Sequence, residues 1–153
     1  MTRPAKDSGA KVKEQLMNTG TMAMIFGVVF LFAGVSGFFP TPPPPNAPPL
    51  AVEHGHGLAL GLFPINTLHN IVHLLFGGLG IAAALGAVMS ARVYFQVVAI
   101  SYGLLTVLGF IPGLNTLFGL VPLWGNDIWL HALLAAGAAY FGFVAPVPVA
   151  RRA

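Results

Sequence analysis

The sequence predicts an all-α integral membrane protein, with four transmembrane helices built from a duplicated helical hairpin and both termini cytoplasmic. Three observations carry this reading. First, hydrophobic residues make up 56% of the 153 residues and charged residues only 7%, against roughly 25% charged in soluble domains. Such a chain cannot cover a water-facing surface. Second, four apolar runs long enough for a bilayer core alternate with Pro-, Gly- and turn-rich segments. Third, landmarks of the first half recur in order in the second. The net charge of +3 comes from few residues, with no Lys/Arg cluster interleaved with aromatics, so no nucleic-acid partner is expected. There is no cysteine, which excludes disulfides, thiolate-held iron–sulfur clusters and cysteine zinc sites.

Residues 1–20 are polar and basic and read as a flexible or surface-lying cytoplasmic tail. Residues 21–147 read as the membrane domain, and residues 148–153 as a second short tail. The first span is expected over 22–39. The prolines of "PTPPPPNAPPL" stop it and favour an extended outer loop over 40–60. The second span is expected over 64–89, then a tight turn carrying Arg92, the third span over 94–111, an apolar interfacial loop with Trp124 and Trp129 as anchors, and the fourth span over 128–144. Residues 1–39 resemble a signal peptide in having a basic start and an apolar core. Aromatic residues and proline crowd the position where small residues would mark cleavage, so a retained span is expected.

Four spans put both ends on one side. Arg3, Lys6, Lys11 and Lys13, then Arg92, then Arg151 and Arg152 all fall on that side. By the positive-inside rule it is the cytoplasm. The outer loops carry only Glu53 and Asp127, and an inner-membrane location follows.

"GVSGFFP" (Gly34 to Pro40) is answered by "TVLGFIP" (Thr106 to Pro112). "GLFPINTLHNIVH", from Gly61, is answered by "GLVPLWGNDIWLH", from Gly119. Each half reads as span, G-F-x-P exit, loop, G-L-x-P, then L-H entering the next span. Self-similarity of this kind suggests a duplicated hairpin, with the copies related by an axis along the membrane normal. His69 and His131 then lie at matching depth. Gly27, Gly34 and Gly37, and small-residue pairs such as Ala82/Gly86, Ala132/Ala136 and Ala135/Ala139, are expected to let helices approach closely.

Polar chemistry concentrates at the outer end. His69 and His73 are four apart and share a helix face, with Asn66 and Asn70 beside them. Asp127 and His131 repeat that spacing, with Asn126 adjacent, so a carboxylate can orient a ring. Glu53, His54 and His56 sit in the outer loop as contact residues. Three readings stay open. The set is a structural polar clamp between helices, with no cofactor. Or His69 and His131 bind haem or another tetrapyrrole, although the outer side lacks Lys or Arg for propionates. Or His69, His73 and His131 hold a divalent metal through neutral imidazole. No catalytic triad, phosphate-binding loop or paired carboxylates are present, and no charge lies deep in a span as a transporter would usually require. The expected role is therefore a non-catalytic accessory or structural subunit, in contact with lipid and with other membrane subunits or copies of itself.

"INTLHNIVHLLFGGLG", the turn "ARVYF" and the later "NDIWLH" resemble the pattern of a bacterial four-helix membrane family catalogued as a domain of unknown function. The resemblance covers roughly Ala23 to Val144. It implies a small multi-pass inner-membrane protein and marks Asn66, His69, Asn70, His73, Asn126, Asp127 and His131 as the pattern's polar positions. It supplies no activity. The proline-rich segment and the "HGH" lie outside the pattern.

Overall fold

A computed structural model describes residues 5–146, with side chains described from residue 19 onward. The short tail expected over 148–153 lies outside the described residues. Among the described residues, four helices are long and apolar enough to cross a membrane: Thr19–Ser36, Thr67–Ala84, Ala91–Gly109 and Asn126–Val144.

The first helix, α1 (Ala5–Ser36), is one unbroken element of 32 residues. The segment read as a flexible tail is thus helical from Ala5. Residues 5–18 hold one glycine, no proline and many good helix formers, so a helix nucleated in the apolar span extends backward through them. The second element is one that hydropathy does not announce. Strands β1 (Gly57–Ala59) and β2 (Phe63–Ile65) pair antiparallel, with Leu58 opposite Pro64. Between them Leu62 N–H donates to Ala59 C=O at 3.0 Å, and Leu60 and Gly61 both take positive φ. That is the mirror-image turn that matches strand twist. Thr41 adds a bridge to Leu58, so the proline-rich loop is pinned at its start.

β2 takes Pro64 and Ile65 from the start of the expected second span, and α2 begins at Thr67. The other end is also shorter than expected. Gly86 takes φ 69°, its N–H donates to Ala83 C=O at 3.1 Å, and Ala87 N–H donates to Ala82 C=O at 2.9 Å. This is a Schellman cap. Gly86 therefore ends α2 (Thr67–Ala84) and does not serve helix packing. The third helix, α3 (Ala91–Gly109), starts earlier than expected because the Ser90 side chain caps it, accepting from Val93 N–H at 3.3 Å. Arg92 lies in its first turn. It donates to the carbonyls of Ala145 at 2.8 Å and Phe143 at 3.4 Å, a cation at the closing end of the fourth span. That span is α4 (Asn126–Ala139) followed by a π-helical turn, Tyr140–Val144.

The helices pack as two hairpins, α1 on α2 and α3 on α4. The duplication is visible in the backbone. Phe118 and Gly119 take positive φ as Leu60 and Gly61 do, and Leu120 N–H donates to Leu117 C=O at 3.2 Å. Each G-L-x-P is thus entered through the same turn. The core between the hairpins is aromatic. Phe30 packs at 5.1 Å from Tyr102 and Phe26 at 5.1 Å from Phe95, ring centre to ring centre.

Glycine sets how close α1 and α2 come. A Cβ on Gly27 would lie 2.9 Å from the Gly77 carbonyl, and one on Gly34 would lie 2.9 Å from the Asn70 carbonyl. Gly37 abuts the Asn70 side chain itself. Gly78, one residue from Gly77, has nothing within 4 Å. Gly27→Ala should therefore lower stability by about 1–3 kcal/mol through overpacking. Gly78→Ala should be neutral or slightly stabilising. Thermal unfolding of both variants in the same detergent checks the contrast.

Candidate functional site

The site is built by how α2 and α4 begin. Asn66 is the N-cap of α2, and its side-chain oxygen accepts from His69 N–H at 2.9 Å. With α2 started there, His69 stands in the first turn and His73 one turn deeper, about 9 Å below Thr67 along the axis. α4 starts at Asn126 after Gly125, which takes φ 64°. Asp127 and His131 then occupy consecutive turns of one face.

The three histidines converge. Ring centres lie 4.5 Å apart for His69–His73, 5.8 Å for His69–His131 and 6.5 Å for His73–His131. Each ring offers one nitrogen such that all three lie within 4.8 Å of one another. The rings are buried at 3%, 4% and 1% exposure. Tyr102 of α3 stands edge-on to His131 at 4.8 Å, and Phe30 of α1 lies 5.8 Å from His73. All four helices therefore wall the cluster.

Its nitrogens are poorly matched inside the protein. Among the described residues, His69 Nδ1, both nitrogens of His73 and both of His131 have no hydrogen-bond partner. The Pro64 carbonyl takes the bond of the His69 ring. Because a neutral imidazole has one N–H, this leaves Nδ1 as the lone-pair nitrogen. Asp127 is fully buried. Its Oδ2 lies 3.4 Å from His131 Nε2 without hydrogen-bond geometry, so both carboxyl oxygens also lack a partner. Asn70 has neither its oxygen nor its nitrogen paired. Polar atoms left unmatched at membrane depth are costly.

The polar positions singled out in the sequence thus divide by task. His69, His73 and His131 form the ring cluster, with Asp127 against it. Asn66 and Asn126 do something else. Asn66 Nδ2 donates to Leu120 C=O at 2.7 Å and to Val52 C=O at 2.8 Å, and Asn126 Nδ2 donates to Leu62 C=O at 3.2 Å. Leu62 and Leu120 are the same position of the two G-L-x-P segments, so each asparagine holds the other repeat's turn. The outer-loop residues brace α2. His54 Nδ1 meets Thr67 Oγ1 at 2.8 Å, and His54 C=O accepts from Thr67 N–H at 2.9 Å. Glu53 C=O accepts from His56 N–H at 2.8 Å. None of these three belongs to the ring cluster. Sequence reasoning missed Tyr102 and the Pro64 carbonyl. A tyrosine in mid-span was the available sign of the first, and nothing in the sequence signals the second.

A family model described as a domain of unknown function, DUF4383, matches residues 21–144. The chain belongs to this family. In this DUF4383 domain the matched range takes in the ring cluster, both asparagines and the pinned loop. Comparison with curated proteins and with solved structures finds no match.

Within the DUF4383 domain, Asn66 makes three hydrogen bonds at zero exposure, whereas Asn126 makes one and is exposed. Asn66→Ala removes a helix cap and strands two carbonyls, a loss of about 2–4 kcal/mol. Asn126→Ala should cost less than about 1 kcal/mol. Chemical or thermal unfolding in detergent distinguishes them.

Proposed function

We propose that this protein binds a single divalent transition-metal ion within the membrane, through His69, His73 and His131. The observation that supports it is the convergence of three buried rings, each with at least one nitrogen that bonds to nothing among the described residues. A metal satisfies three lone pairs at once. Tetrahedral zinc with Zn–N of about 2.0–2.1 Å places its ligands about 3.3 Å apart. From separations of up to 4.8 Å, the rings therefore draw in by at most about 1.5 Å, within the reach of side-chain rotation. Imidazole suits zinc, copper and nickel. Asp127 supports the site as the acceptor facing His131, holding that ring in place. Three protein ligands leave a fourth position open.

Two other readings weigh less. A structural clamp made by the rings would bond ring to ring or ring to Asn70, and among the described residues no such bond forms. A tetrapyrrole needs a flat slot between two axial rings, and His73 and Tyr102 crowd the space around the His69–His131 pair. The proposal assigns binding and no reaction. The accessory-subunit role would then be that of a metal-carrying membrane subunit.

The positive-inside distribution supports an inner-membrane protein with both termini in the cytoplasm. Arg92, clasped to the end of the fourth span, supports that end as the cytoplasmic one. The histidine cluster would then lie near the opposite face.

Metal analysis of the purified protein, after dialysis against zinc, should give one ion per chain. His69→Ala, His73→Ala and His131→Ala should each abolish it, and Asp127→Asn should weaken it by roughly 10–100-fold. At a hundredfold excess over Kd the ion should stabilise the fold by about 2.7 kcal/mol. Zinc content unchanged in all three histidine variants would refute the site.

A further inference from the structure

Beside the ring cluster a groove runs between the upper part of α1, the β-hairpin and α4. Phe32 and Ala33 of α1 form one wall, Leu60 and Phe63 of the hairpin another, and His73 and Asp127 close its inner end. Phe32 and Leu60 are 62% and 59% exposed, on the apolar surface that faces lipid in a membrane-spanning bundle. The groove therefore opens toward hydrocarbon. Its polar end is unmatched. Asp127 has no hydrogen-bond partner on either oxygen, and His73 has none on either ring nitrogen.

We infer that this groove binds the hydroxylated ring of a membrane-soluble quinol, with a ring hydroxyl bonded to Asp127 beside the His73 ring and the tail left in the lipid. Size is the first argument. The cavity is about 160 Å³, and an apolar cavity of ~150 Å³ holds one benzene-sized ring. Polarity is the second. A phenolic hydroxyl both donates and accepts, so it pairs with a carboxyl group and an imidazole together. An acyl chain would fill the same walls and leave both groups bare. Access is the third. The mouth is lined by exposed apolar side chains, so the occupant enters from the bilayer and carries a hydrophobic tail. The inference stands beside the metal proposal and does not need an ion, because Asp127 has a second oxygen, Oδ1, besides the Oδ2 that faces His131.

The test uses the full chain in nanodiscs of quinone-free phospholipid, with a radiolabelled benzoquinol carrying one isoprenoid unit. A single saturable site is expected. Ala33→Phe, which fills the groove, and Asp127→Ala, which removes a buried hydrogen-bonding group, should each weaken binding by roughly tenfold. A long-chain alkane should not compete. Failure of the wild-type protein to saturate, undiminished binding by Ala33→Phe, or equal competition by the alkane would overturn the inference. Those first and last outcomes need no variant to fold. Zinc measured on the same nanodiscs separates the two proposals. Zinc retained without quinol binding sinks only the groove, and quinol binding without zinc sinks only the metal site.

Discussion

The hairpin end of the bundle depends on one buried side chain, Asn66. Its oxygen starts α2, and its nitrogen holds a carbonyl from each of two loops, Val52 and Leu120. Asn66 is itself fully buried, so losing these bonds would leave its amide unmatched. The consequence is positional. A helix started at Thr67 puts His69 and His73 on the inward face and Gly77 and Gly80 below them, where α1 can come close. Starting α2 elsewhere would turn the rings away from His131 and set side chains against Gly27. The asparagine thereby links the loop, the helix register and the ring cluster.

The repeat explains why such a small protein can build a walled site. One helical hairpin in lipid has a single packed seam. Two copies face each other, and the turns at G-L-x-P are exchanged between them through Asn66 and Asn126. The two halves differ in task. The first supplies two histidines and the glycine seam. The second supplies Asp127, His131 and, from α3, Tyr102. The shared turn remains alike, with Leu60–Gly61 and Phe118–Gly119 in the same left-handed conformation. A metal ion proposed at the meeting of the copies would draw ligands from both.

Much of this was readable from residues alone. Hydropathy found four spans because lipid demands long uncharged runs, and the recurrent Gly and Pro landmarks identified the hairpins. Element ends were less readable. α2 is trimmed by a β-hairpin at one end and a Schellman cap at Gly86 at the other, and both depend on backbone conformation more than on apolar content. α1 runs on into the polar tail because helix propensity there needs no hydrophobicity. At the site, spacing placed His69 with His73, and the repeat placed His131 beside them. The sequence treated Asn66, Asn70 and Asn126 as one set with the rings. Only the fold separates asparagines that bond carbonyls across the repeats from groups that bond nothing. Tyr102 and Pro64 reach the cluster from other elements, and long-range contacts leave no local pattern.

The central claim is that His69, His73 and His131 meet on one ion. X-ray absorption at the zinc edge of the loaded protein tests this most directly, because it counts and types the ligands. The account predicts a shell containing three imidazole nitrogens at about 2.0–2.1 Å, with a fourth light ligand. A shell of oxygens alone, or one with a single imidazole, would show that the three rings do not share an ion and would contradict the account.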